Sequence, residues 1–151
     1  MASTSNTPTA EQEFQTLQLY LNEYNQQIEL FSRQFQIVEQ TRMEMIASIE
    51  ALKGLKGTTD AVSLLPIGGG AALLSRVIDP DSVIVSIGSD VSVRKTNDEA
   101  VSYMSERITE LEAQAKRLAE TLQKLQAQAT EVGRRLEQLY QADQARYAGR
   151  S

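Results

Sequence analysis

Two apolar stripes with the same step and the same number of positions set the terms for any fold of this sequence. The first passes through Phe14, Leu17, Leu21, Tyr24, Ile28, Phe31, Phe35, Val38, Arg42, Met45, Ile49 and Leu52, with Arg42 its only polar member. The second passes through Val101, Met104, Ile108, Leu111, Ala115, Leu118, Leu122, Leu125, Ala129, Val132, Leu136 and Leu139. Steps of three and four residues average about 3.5, slightly under the 3.6 of a straight α-helix, and keep a seam facing one partner helix in a left-handed coiled coil. A chain that leaves one stripe, passes through a compact segment and returns along the other brings the seams together antiparallel. Parallel pairing would need a connection as long as the helix. At about 1.5 Å per residue, helices over 11–53 and 98–147 would reach roughly 65 Å and 75 Å, so a rod is expected.

A length of 151 residues suits one domain, expected over 11–151, but 41% apolar and 23% charged residues on two such helices describe a thin seam and not a thick core. No stretch approaches the eighteen or more apolar residues that span a bilayer, so no membrane partner is expected. The opening MASTSNTPTA lacks the basic start and apolar centre of a signal peptide, which places the chain in the cytoplasm. Cysteine and histidine are both absent. That removes disulfides, thiolate chemistry, the commonest general base and the commonest metal ligand, so neither an enzyme nor a cofactor is expected. A net charge of −5 argues against a nucleic-acid partner, because phosphate binding needs clustered Lys and Arg. The adjacent basic pairs of the second helix, Lys116-Arg117 and Arg134-Arg135, are interleaved with acids and read as solvated faces.

Residues 1–10 are rich in Ser, Thr, Asn and Pro and read as a disordered tail. Thr9 with Gln12 fits a capping box, starting the first helix near residue 10 or 11, and Gly54 and Gly57 are expected to end it. Thr96 with Glu99 offers a second box, with Asn97 or Asp98 as alternative caps, and the second helix starts near Asp98 and runs to 147 before a short tail over 148–151. Between the helices, over 54–97, the period changes. Residues 62–67 (VSLLPI), 71–78 (AALLSRVI), 82–87 (SVIVSI) and 91–96 (VSVRKT) are short and mostly rich in Val, Ile and Leu, and read as four strands. Gly68-Gly69-Gly70, Asp79-Pro80-Asp81 and Gly88-Ser89-Asp90 separate them, giving two hairpins in tandem. The fold class is therefore α+β, a long antiparallel two-helix coiled coil with two central β-hairpins.

A β module of about 45 residues is too small to bury enough surface for independent stability. Its strands also read as buried on both faces: Val83, Ile84, Val85 and Ile87 leave Ser86 as the only polar residue of the run, where a solvated strand would alternate. Exposed apolar strands need covering by strands from other chains, which makes this centre an oligomerisation surface. Leu65, Ile67, Leu73, Val83, Ile84, Val85, Ile87, Val91 and Val93 are its candidate contacts.

Helix, two hairpins and helix, with Leu65-Pro66-Ile67-Gly68-Gly69-Gly70 in the first hairpin and Val83-Ile84-Val85-Ser86-Ile87-Gly88 opening the second, resembles the alpha subunits of the archaeal prefoldin family over essentially the whole chain from residue 11. That resemblance implies a hexamer of two alpha and four beta subunits, with the alpha hairpins at the centre of a double β-barrel platform. It further implies coiled-coil tips that hold non-native polypeptides without ATP and deliver them to a group II chaperonin. Two hairpins favour the alpha type, since the family's beta subunit has one. Ser89-Asp90 departs from the small residues frequent at that turn in the family and could alter its geometry.

The residues give a mechanism of their own. Helix ends fray, because terminal amides and carbonyls lack intrahelical partners. Phe14, Leu17, Tyr20, Leu21, Leu136, Leu139 and Tyr140 lie at the ends of the stripes and are the candidate client-binding residues. The competing reading gives them ordinary seam packing. Each Leu or Phe fully buried by a client would contribute about 1.5–3 kcal/mol, so one tip binds weakly and several bind well. Gly68-Gly69-Gly70 lacks the Gly-Lys-Ser or Gly-Lys-Thr ending of a phosphate loop and reads as a turn. Arg42 reads as a register-setting polar seam residue, and Gly133 as a soft point in the second helix. The alternative function from another class is a structural or tethering coiled coil that binds one defined folded partner.

Overall fold

The computed structural model describes residues 9–149. The element order is α1 (Ala10–Leu55), β1 (Val62–Gly68), β2 (Ala71–Arg76), β3 (Val83–Gly88), β4 (Val91–Lys95) and α2 (Asn97–Ala148). The tail read over residues 1–10 falls outside the described residues except for Thr9 and Ala10, and of the tail read over 148–151 only Ala148, which closes α2, and Gly149 are described.

Each helix end is built from the chemistry its sequence carries. Thr9 and Gln12 form a reciprocal capping box: the Gln12 N–H donates to Thr9 Oγ1 at 3.2 Å and the Thr9 N–H donates to Gln12 Oε1 at 3.1 Å. At the start of α2, Thr96 is the cap, its Oγ1 accepting from the Glu99 N–H at 3.2 Å. At the far end of α1 the helix runs through Gly54 and stops at Leu55, two residues beyond the expected end. Gly57, at φ +76°, takes the left-handed conformation that turns the chain away, and Thr58 donates its N–H and its hydroxyl to the freed Leu55 carbonyl.

The described chain falls into two compact units, one formed by residues up to Ile37 together with those from Ala115 onward, the other by Val38–Gln114. Within the first, Glu13 near the start of α1 pairs with Arg135 near the end of α2, Nε to Oε1 at 2.9 Å, so the helices are antiparallel. Within the second, Arg42 faces Glu112 at 3.9 Å and the Leu52 carbonyl meets Asn97, again antiparallel. Every position of both sequence stripes is buried or half-buried, with Val38, Leu111, Ala115 and Leu125 the most enclosed of the large seam set. Arg42 is half-buried, and its hydrogen bond to Glu39 at 2.9 Å, with the Glu112 carboxylate across the seam, raises its pKa further above the ordinary arginine value. A charge so placed tolerates only a register that offers it carboxylates.

The four strands form two separate two-stranded antiparallel sheets, β1–β2 and β3–β4. The last residues expected in β2, Val77 and Ile78, lie instead in the connector, which folds over an Asx turn in which the Asp81 N–H donates to Asp79 Oδ1 at 2.9 Å. The hairpins repeat one another. In β1 the pairing jumps between Pro66 and Gly68, and in β3 between Ser86 and Gly88, so Ile67 and Ile87 are the extra residues of matching β-bulges. Three consecutive residues follow with positive φ in each: Gly68, Gly69 and Gly70, then Gly88, Ser89 and Asp90 at 103°, 51° and 59°. Ser89-Asp90 therefore adopts the same left-handed turn as two glycines, the pair of positive φ values that lets a hairpin follow the twist of its strands.

Candidate functional site

The register assigns the hairpin faces. In the first, Leu64 opposes Leu74 and Val62 opposes Arg76 on one face, while Leu65 opposes Leu73 and Ser63 opposes Ser75 on the other. All of β1 and most of β2 is exposed, including both faces, and Leu74 keeps 78% of its surface. In the second hairpin Val83 and Val85 share a face with Val93 and Lys95, and Ile84 and Ser86 share the other with Ser92 and Arg94. The first of these faces is covered by the chain itself, and the second is bare.

Within one chain the strands are covered on one face at most, and covering of the rest by further chains is the part of the VIVSI reading that lies outside a single chain. Burial alternates along VIVSI, with Val85 enclosed at 5% exposure and Ile84 outward. The physical reason is that two strands and their turn present one face inward and leave the other to whatever lies outside the chain. Among the candidate contacts, Leu65, Ile67, Leu73, Ile84, Ile87 and Val91 are exposed, Val83 and Val93 are half-buried, and Val85 packs internally. Val62, Leu64, Leu74 and Ile78 belong with the exposed group and were not singled out by sequence. They lie in the same apolar runs, where both alternating sets of residues are apolar and no pattern separates the faces. Ile78, in the connector, is 98% exposed.

At the other candidate site, Phe14, Leu17, Leu21, Leu136 and Leu139 are half-buried seam residues, whereas Tyr20 and Tyr140 are exposed. The Tyr140 hydroxyl accepts from Gln144 Nε2 at 2.8 Å, leaving its ring to solvent. Sequence reading missed Leu19, Leu30 and Ile37, each more than half exposed. Each follows a seam residue by two positions, about 200° around the helix, and so points away from the seam. The signal was present as an apolar residue off the stripe. Tyr147, nearly three-quarters exposed, extends the apolar surface at the end of α2.

Electrostatics at this end combines the Glu13–Arg135 pair between the helices with a pair inside α2. Arg134 hydrogen-bonds Glu131 one turn earlier on α2, holding that carboxyl below the ordinary range and raising the guanidinium above its own. Gly133 sits half-buried between these partners, and a Cβ built on it meets nothing within 4 Å. No packing reason requires a glycine there. Gly133→Ala should therefore stabilise the helix pair by about 1 kcal/mol, read as a raised midpoint in urea unfolding followed by circular dichroism.

Among the described residues no helix is long and apolar enough to cross a membrane. Residues 24–142 match the family model described as Prefoldin subunit. The chain is 51% identical over 137 residues to Prefoldin subunit alpha of Methanoculleus marisnigri, covering 91% of this chain and 92% of that one. It is 49% identical to Prefoldin subunit alpha of Methanospirillum hungatei, covering 94% and 95%. Among solved structures it is similar to a chain of filamentous PFD from Methanocaldococcus jannaschii, with 25% identity, a TM-score of 0.63 and coverage of 75% and 94%. The fold is also shared with the prefoldin beta subunit from Thermococcus strain KS-1, with a TM-score of 0.57, 21% identity and coverage of 89% and 96%.

Proposed function

Because this chain belongs to the prefoldin family and is a chaperone subunit, we propose that it joins beta-type subunits through its hairpins and holds non-native polypeptides at the end where α1 begins and α2 finishes. The assembly would contain two such chains and four beta-type subunits, with residues 11–151 of each acting as one domain in the cytoplasm. Holding needs no ATP and no catalytic group: apolar contacts are non-directional, individually weak and reversible, which suits capture followed by release to a group II chaperonin.

The observation that carries the assembly reading is the first hairpin, apolar on both faces and bare on both. A two-stranded ribbon with leucines on each side is not stable in water unless its faces and edges are covered. A tether with one folded partner has no use for it.

The test is light scattering of a chemically unfolded client diluted into buffer without nucleotide, with this chain, a beta-type subunit, or both. Mixed at one of this chain to two of the beta-type subunit, they should suppress aggregation of several unrelated clients. If the assembled mixture protects none of them, the holding function is lost and the tethering reading takes its place.

A further inference from the structure

Among the described residues Asn97 is the only buried polar side chain, with 2% of its surface exposed. It opens α2, yet Thr96 supplies the cap, so the Asn97 amide has no capping duty. Nδ2 donates instead to the Leu52 carbonyl in the last turns of α1 at 2.8 Å and to the Pro80 carbonyl in the hairpin connector at 3.2 Å. The Asn97 N–H donates to Asp81 Oδ1, next to Pro80, at 2.9 Å. Two carbonyls converge on one primary amide, and only its NH₂ side can answer both, which fixes the orientation of the group. Oδ1 is left buried without a partner. An orphaned acceptor is a poor choice for a position that serves packing alone, where an apolar side chain of similar size avoids the loss.

We infer that Asn97 is a positioning residue that locks the end of α1, the hairpin connector and the start of α2 into one joint, fixing the direction in which the helix pair leaves the hairpins. The charged groups around it are Asp81, held by the Asn97 N–H, and the Lys56–Asp98 pair, which crosses the same joint at the surface at 2.6 Å. That pair is more than half exposed on both sides and holds the joint loosely. The side-chain amide sits inside and ties the start of α2 to both α1 and the connector, and the backbone N–H adds a second bond to the connector. For joining beta-type subunits, which rests on the assembly reading above, a fixed joint holds the hairpins in one setting against the helix turns that flank them.

Hydrogen exchange followed by mass spectrometry tests the joint in the full chain, alone and assembled with a beta-type subunit. Asn97→Leu fills the space without donors, Asn97→Ala removes the side chain, and Lys56→Ala breaks only the surface pair. For both Asn97 variants, exchange should accelerate at least tenfold in residues 52–57, 77–82 and 96–100. The strands 83–95 and the middle turns of both helices should keep their protection, and Asn97→Leu should melt within a few degrees of the parent. Lys56→Ala should leave the pattern unchanged. Unchanged exchange at the three segments, or an increase spread evenly over the chain, would overturn the assignment and leave Asn97 a core residue only. Because the pattern is read in the free chain as well, its failure is distinct from a failure to assemble.

Discussion

Leu65→Ser combined with Leu73→Ser should leave a chain that keeps its helical circular dichroism but no longer co-assembles with a beta-type subunit. The two side chains oppose each other on one face of the first hairpin and are each more than half exposed in the single chain. Their loss therefore takes little from the isolated fold. Covered by another chain, each leucine buries the roughly half of its surface still exposed and contributes about half of the 1.5–3 kcal/mol of full burial, so the pair is worth about 1.5–3 kcal/mol per subunit. That is about one to two orders of magnitude in the association constant for each such subunit. Size-exclusion chromatography with multi-angle light scattering at micromolar concentration reads the outcome directly. A double variant that assembles with parental mass and affinity would remove the first hairpin from the joining surface. The matching control is Ser63→Ala with Ser75→Ala, on the same face and nearer the strand ends, where Ser75 Oγ donates to the Ser63 carbonyl. It should assemble as the parent does, because the side chains removed are small and polar.

The reason such a surface exists in a chain of this size is geometric. Two long helices that share one seam bury a narrow strip, and all the seam positions are already used in that strip. The hairpins cannot draw on it. They carry apolar residues on faces that their own chain leaves bare, which makes association the only route to burying them. Matching bulges strengthen the argument, because a bulge re-aims a side chain out of the ladder and both hairpins re-aim an isoleucine, Ile67 and Ile87.

How much of this could be read from sequence follows from which features have a period. The seams could, down to each of their positions, because a coiled coil repeats one contact every three or four residues and Arg42 stands out against it. Caps could also, since Thr9 with Gln12 and Thr96 with Glu99 are local in sequence and satisfy local amides. Strand faces could not. In VSLLPI and AALLSRVI both alternating sets are apolar, so the pattern that assigns a face is missing and only the register supplies it. Asn97 illustrates a third case. Its position suggested a helix cap, and only the return of α1 and the connector to the same point shows that its amide has carbonyls to serve that lie far away in sequence. Leu19, Leu30 and Ile37 were visible as apolar residues off the stripe, but a single exposed leucine is ordinary on a protein surface and carries no signal by itself.

Those off-seam residues decide how the holding site is expected to work. A quadruple variant, Leu19→Ser, Tyr20→Ser, Tyr140→Ser and Tyr147→Ser, should assemble normally, unfold at the parental temperature and capture an unfolded client at least tenfold more weakly. All four side chains are half exposed or more and none belongs to a seam stripe, so removing them takes little from the helix pair. A seam variant, Phe14→Ala, Leu17→Ala and Leu139→Ala, touches half-buried residues and should destabilise the helix pair by several kcal/mol before it reports on clients at all. Comparing the two separates a site that is permanently displayed from one that appears only when the helix ends part. Weaker capture by the surface variant with unchanged melting assigns the client to the displayed tyrosines and Leu19. Full protection by the surface variant, with loss only in the seam variant, would instead place the client on Phe14, Leu17, Leu21, Leu136 and Leu139, made available by fraying. In that event Gly133→Ala, which stiffens the same end of α2, should weaken capture as well. If the displayed residues hold the client, it should leave capture unchanged.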